Sequence, residues 1–374
     1  MNEYTKRVLI LLSIIIGGFI FDGLITAISR LNVYSQDNYI VNIGYIGSYL
    51  SGVTSLVIVV LTILAVKYSY NAYKEEVRRV KQQRLEDRFY HLLTMHRDNV
   101  EGMIIDLKVG RLESSKVILN IFRELEVIIK ILNIKEICEK YKSVANFKIQ
   151  GVSARDEELF NTIKEMGGVV YNEKNGENFD KKLINVKVAF LIMFLGCGER
   201  SSKIVRNYLL QFEDYFNVNE IIKLFSNNDF RNKVQKSYNF KYKLFGGHQS
   251  RLGHYFRNMF HIVKFIDSDE GLSFEQKNSY VKNFRVQLNT FEQVLLLVNA
   301  VSIFGEDWQK YIVKYKLVKN IPKDFFRKDL WFDMECEIKK MAEANEKLIR
   351  NEYKLTVVNF VSDYFEFSTH KLRG

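Results

Sequence analysis

The segment from Arg251 to Ile266, RLGHYFRNMFHIVKFI, holds the side chains best suited to chemistry. At about 100° per residue, Arg251, His254, Arg257, Asn258 and His261 gather on one helix face, with Leu252, Phe256, Met259, Val263 and Ile266 on the other. Arginine beside histidine can bind a phosphate and move a proton, which metal-free phosphodiester cleavage requires. The same residues would equally serve a polar network locking two helices together. His248, His254 and His261 are half of the six histidines in the chain. His254 and His261 lie two helical turns apart, too far for an i, i+4 metal pair. No metal site and no cofactor is expected.

A second segment, Arg285 to Ala300 (RVQLNTFEQVLLLVNA), is nearly all apolar on one side, with Arg285, Asn289, Glu292 and Asn299 forming a polar stripe. So apolar a helix should be buried, and its polar groups then need partners. The spacing predicts that it packs on the Arg/His face, with Glu292 bonded to an arginine or histidine there. The chain contains no Gly-Lys-Ser/Thr, His-Glu-x-x-His or Gly-x-Ser-x-Gly motif, so nucleotide-loop, zincin and serine-hydrolase chemistry are not indicated. The expectation is a protein that is not an enzyme or, failing that, a metal-independent ribonuclease.

The elements that position these residues are read as mainly α. Pro322 is the one proline in 374 residues, and few proline breaks favour long helices. Cys138, Cys197 and Cys336 are isolated, so neither a disulfide framework nor a zinc knuckle is indicated. The net charge of +11 suits anionic lipid or nucleic acid.

At the N-terminal end, Val8–Ile28, charged only at Asp22, and Ile43–Val66, uncharged, are each long enough to cross about 30 Å of hydrocarbon. Asp22 is costly in lipid and needs a partner or an interfacial position. Lys6 and Arg7 precede the first span, and Lys67, Lys74, Arg78, Arg79, Lys81 and Arg84 follow the second, while the connecting loop carries only Arg30. The positive-inside rule then puts both termini in the cytoplasm. Gly44, Ser48 and Gly52 form a small-residue stripe suited to close helix packing within the hairpin or between chains. The expected organisation is a two-helix transmembrane hairpin (1–66), a juxtamembrane helix (67–110) and a mostly helical cytoplasmic domain (111–374), with a sub-boundary near 239–249. Helices are expected near Val117–Leu132 and Leu183–Leu195, and a mobile loop with a short strand over Gly167–Asp180.

The segments RLEDRFYHLLTMHRDNV, GHYFRNMFHIVKFI, FRVQLNTFEQVLLLVNA and YKLVKNIP, behind two spans, resemble the AbiC-type family of phage abortive-infection proteins. The HYFR and QLNTFE stretches carry the resemblance most specifically, and Ile134–Phe240 contributes nothing to it. The resemblance implies antiphage defence more strongly than any one reaction. It leads to the expectation of a multi-pass effector in the bacterial inner membrane, whose cytoplasmic domain senses infection and whose hairpin contributes to growth arrest or cell death. The alternatives are a ribonuclease using the Arg/His face and a non-enzymatic scaffold. Arg257 and His261 stand too close together for the Arg-to-His spacing of the HEPN ribonucleases found among abortive-infection toxins. Expected partners are inner-membrane lipids, a phage component or nucleic acid, and a second copy of the chain.

Overall fold

The computed structural model describes residues 17–19, 21–23, 25–26, 28–29, 39–107, 110–133, 161–163, 180–199, 201–322, 325 and 331–365. The described part is mainly helical, and the chain divides into two compact units, Met1–Asp87 and Arg88–Gly374.

Helix α1 runs without a break from Tyr39 to Glu101, as the absence of Gly and Pro between Lys67 and Met95 predicts. Its Gly47–Glu101 portion is the one helix among the described residues long and apolar enough to cross a membrane. Leu56, Ile58, Val59, Leu61, Ile63 and Val66 all stand exposed on it. The expected first span lies largely outside the described residues, and its described positions from 17 to 28 are helical. In this unit Gly23 lies against Tyr49: a Cβ on Gly23 would meet Tyr49 Cε1 at 2.7 Å, and the Tyr49 hydroxyl donates to the Phe19 carbonyl at 3.4 Å. Among the described residues the Gly44, Ser48, Gly52 stripe makes no such contact. A methyl added at Gly44 or Gly52 meets nothing within 4 Å, and the Ser48 hydroxyl donates back to the Gly44 carbonyl. Asp22 is exposed.

The second unit opens with the end of α1, where Phe89, Leu93 and His96 are buried. A short antiparallel hairpin follows, β1 (Ile104–Asp106) paired with β2 (Arg111–Glu113). Helix α2 (Ser115–Leu132) and helix α3 (Lys181–Leu195) pack extensively on each other. Both fall where apolar periodicity puts them, within two residues of the expected starts. Helices α4 (Ser202–Leu209), α5 (Val218–Ser226) and α6 (Asn228–Ser237) flank them. The expected loop at Gly167–Asp180 lies outside the described residues except for Asp180, whose carboxylate caps α3 by accepting from the Leu183 N–H.

Helices α7 (Gln249–Asp267), α8 (Phe274–Gln287), α9 (Thr290–Val301) and α10 (Trp308–Tyr315) follow, then α11 (Met334–Ala344) and α12 (Val357–Ser362). Helix α9 is buried from Glu292 to Val301 and packs against α2, α3 and α10. So apolar a helix folds only when covered on several sides, because each buried Leu or Val contributes roughly 1.5–3 kcal/mol. The expected apolar face of α7 is buried at all five positions, Leu252, Phe256, Met259, Val263 and Ile266.

Two expectations are corrected here. Arg285–Ala300 is not one helix. Arg285 lies in the last turn of α8, Leu288 leaves helical geometry, and Asn289 starts α9 as a capping box with Glu292. Asn289 Oδ1 accepts from the Glu292 N–H at 3.0 Å while Glu292 Oε2 accepts from the Asn289 N–H at 2.8 Å. Nor does α9 take α7 as its main neighbour. Helix α7 packs chiefly on α8 and α3.

Candidate functional site

The head of α7 is anchored by a carboxylate far away in sequence. Glu124 occupies a position on α2 that apolar spacing would give to a core residue, in line with Val117, Ile121, Ile128 and Ile131. It is fully buried and accepts three hydrogen bonds: from His248 Nε2 at 3.0 Å, the Tyr242 hydroxyl at 2.8 Å and the Phe245 N–H at 2.8 Å. Burial, reinforced by the Glu124 charge, pushes the Tyr242 phenol well above its ordinary value. His248 is the N-cap residue of α7, yet its side chain serves Glu124 and makes no cap bond. Its N–H donates to the carbonyls of Met193 and Phe194 at the end of α3. Of the three clustered histidines, this one is structural.

Two glycines allow that junction. Gly196 and Gly247 adopt positive φ (81° and 88°), and a Cβ on either would come within 2.5 Å of the other segment's backbone. Here the Cys197 N–H donates to the Phe245 carbonyl. Arg231 closes the far side, donating from Nε to the Phe225 carbonyl and from Nη2 to the Cys197 carbonyl, both at 2.6 Å. Burial lifts the Cys197 thiol to about 12, against the opposing pull of Arg231, so it stays protonated and inert.

The polar face of α7 divides. Arg251 leaves the group, donating to the Ile104 carbonyl of β1 at 2.8 Å. His254 and Arg257 are exposed neighbours, Nδ1 to Nη2 at 3.4 Å, and Arg257 Nε also donates to the Gly253 carbonyl. Asn258 is half-buried. Arg257, His261 and Lys264 look into a groove of about 520 Å³. The Phe256 and Phe260 rings also line it on α7, and Phe304, Gly305, Asp307 and Trp308 form the opposite wall.

Apart from Asn299, the polar residues of the second segment do not face the Arg/His side of α7. Arg285 is buried and donates to the Tyr315 and Lys316 carbonyls, tying α8 to the end of α10. Asn289 is a cap. Glu292 is buried, as the apolar run required, but its neighbour on α7 is Tyr255 on the apolar face. Burial raises the Glu292 carboxyl, opposed by the Asn289 N–H and by Tyr255. Burial and then the Glu292 charge push the fully buried Tyr255 phenol well up, although its hydroxyl completes no hydrogen bond of normal geometry. His96 packs against Tyr255 with the rings tilted and their centroids 5.2 Å apart, and burial lowers it to about 4. Asn299 alone of the stripe reaches the groove.

The reading from sequence missed Glu124, Tyr242, Tyr255, Lys264, Phe304 and Trp308. A carboxylate interrupting an apolar stripe was the available signal for Glu124. Lys264 continues the spacing of Arg257 and His261. Nothing local marks Phe304, in the turn after α9, or Trp308, the first residue of α10, as facing α7. No group of three or more His, Cys, Asp or Glu able to hold a metal occurs among the described residues.

The site is thus a basic and aromatic groove on a helical domain, built by α7 and the α9–α10 connection. The same stretch carries a family match. Residues 247–326 match the family described as "Putative phage abortive infection protein", which bears out the AbiC-type resemblance over α7–α10 and supports a role in phage defence. No curated protein and no solved structure matches the chain.

Proposed function

We propose that this protein is a membrane-anchored antiphage effector. A hairpin of two spans within residues 1–66 holds the helical domain on the cytoplasmic side of the bacterial inner membrane, with both termini inside. The domain senses infection, and the hairpin contributes to arrest or death of the infected cell. The observation that carries this reading is α1, an exposed apolar helix running on unbroken into the unit that contains the family-matched segment. The Tyr49 contact with Gly23 and Phe19 favours a paired first span. Lipids of the inner membrane, a phage component and a second copy of the chain are the partners this reading calls for.

The test follows infected cells with a potential-sensitive dye and RNA integrity on one time course, beside plaque counts. Early depolarisation with intact RNA, lost on deletion of residues 1–66, is expected. A second reading, a ribonuclease, draws on the exposed His254–Arg257 pair. RNA cleavage that precedes depolarisation and vanishes in His254→Ala or His261→Ala would replace the first reading with it. Normal plaquing by cells expressing the full chain, across a broad phage panel, would remove both.

A further inference from the structure

We infer that the groove between α7 and the α9–α10 connection binds a ribonucleoside 5′-phosphate, its phosphate on Arg257, His261 and Lys264 and its base against Phe304 and Phe260.

The cationic side is a single helical stripe. Positions 257, 261 and 264 are spaced four and three apart, so the heads share one face over about 10 Å of helix at roughly 1.5 Å per residue. Arg257 is held by the Gly253 carbonyl and by His254, which aims the guanidinium while leaving N–H groups free for an anion. Lys264 lies over the Phe260 ring, 5.9 Å from its centroid. Arg257, His261 and Lys264 have no carboxylate partner among the described residues. Among the described residues lining the groove, Arg257 and Lys264 carry positive charge against the single carboxylate of Asp307, a surplus that an anion would meet.

The opposite wall is aromatic and rigidly placed. Helix α9 ends at Val301, and the chain turns back so tightly that a Cβ on Gly305 would meet the Asn299 carbonyl oxygen at 2.1 Å. The Gly305 N–H donates to the Ser302 carbonyl and the Trp308 N–H to the Gly305 carbonyl. This turn sets Phe304 against Phe194 and Tyr208, with 39 % of its surface still exposed, and seats Trp308 edge-on against Phe260. Inorganic phosphate would leave that wall unused, whereas a base adds stacking area. Asp307, on the same wall, repels phosphate there and accepts from ribose hydroxyl or base N–H donors, which orients the ligand. About 520 Å³ falls in the range of small-ligand sites, roughly 300–1,000 Å³.

This inference stands apart from the defence reading, because it is tested by binding to purified full-length protein in detergent. The chain has two tryptophans, Trp308 in the groove and Trp331 against Phe122. Tryptophan fluorescence in Trp331→Phe therefore reports on the groove, and calorimetry supplies the stoichiometry. The four ribonucleoside 5′-mono- and triphosphates are titrated beside inorganic phosphate, ribose 5-phosphate, adenosine and a short oligoribonucleotide. Saturable one-to-one binding of at least one mononucleotide is expected, weakened about tenfold or more by removing either base or phosphate. Arg257→Gln, Lys264→Ala and Phe304→Ala each weaken it by a similar factor, and Lys310→Ala, outside the groove, leaves it unchanged. Binding of the oligoribonucleotide alone, of inorganic phosphate as tightly as any nucleotide, or of no nucleotide would overturn the assignment. So would nucleotide binding indifferent to Arg257→Gln, Lys264→Ala and Phe304→Ala in variants that melt like wild type.

Discussion

Glu124 on α2 accepts a hydrogen bond from His248 Nε2 at 3.0 Å, across 124 positions of sequence, and both side chains are buried. That contact sets the start of α7 and therefore the placement of every groove residue on it. Removing one partner of a buried hydrogen bond leaves the other unsatisfied, which costs about 1–3 kcal/mol. Glu124→Ala also strips the Tyr242 hydroxyl and the Phe245 N–H of their acceptor. It should lower the denaturation free energy by at least that amount, read from urea unfolding of the detergent-solubilised protein. A loss under about 1 kcal/mol would show that the network is not what holds α7.

The glycines make a paired prediction. Gly247→Ala places a methyl 2.5 Å from the Leu195 carbonyl oxygen at a φ of +88°, where no small side-chain shift relieves the clash. It should cost more than about 2 kcal/mol. Gly253 lies inside α7 with nothing within 4 Å of an added Cβ. Gly253→Ala should stabilise by about 0.5–1 kcal/mol through helix propensity alone. The two melting temperatures should therefore move in opposite directions.

Stability should fall on acidification through His96. Burial lowers its folded pKa to about 4 from an ordinary 6.5, so the unfolded chain binds more protons between these values. The contribution is complete above pH 6.5 and is lost as pH drops toward 4, about 3 kcal/mol in all at 1.36 kcal/mol per unit. Glu292 acts in the opposite sense, since its raised carboxyl favours the fold at lower pH. Thermal melts between pH 7 and 4.5 should slope less steeply for His96→Leu than for wild type. Parallel slopes would count against the assignment.

Topology is accessible through cysteine labelling. A cysteine at Asn38, in the expected external loop, should react with an impermeant maleimide on intact cells, whereas one near the C-terminus should react only after lysis. In the solubilised folded protein, exposed Cys336 should label quickly and Cys197, buried with its thiol pushed to about 12, should not. Labelling at the C-terminus of intact cells would invert the orientation.

What the sequence determined by itself is what depends on local period and end chemistry. The unbroken α1, the five buried positions of α7 and the immersion of the α9 run all follow from spacing of apolar residues along a single helix. The α8–α9 break was legible too, because Asn289-Thr-Phe-Glu292 is a capping box, but the apolar continuity around it suggested one helix. What only the tertiary structure decided is which polar groups meet. A helical pattern states which face is buried and leaves open what covers it. His248, adjacent to the exposed His254 in pattern, went to Glu124 because α2 presents a carboxylate inside the core at that height. Glu292 met Tyr255, a residue of the apolar face, because α9 lies under α3 and α2 and does not lie along the Arg/His side of α7. The groove needed a turn after α9 tight enough to require Gly305, which brings Phe304 and Trp308 opposite Arg257 and Lys264. No periodicity encodes that approach, since it is set by where two helices end relative to a third.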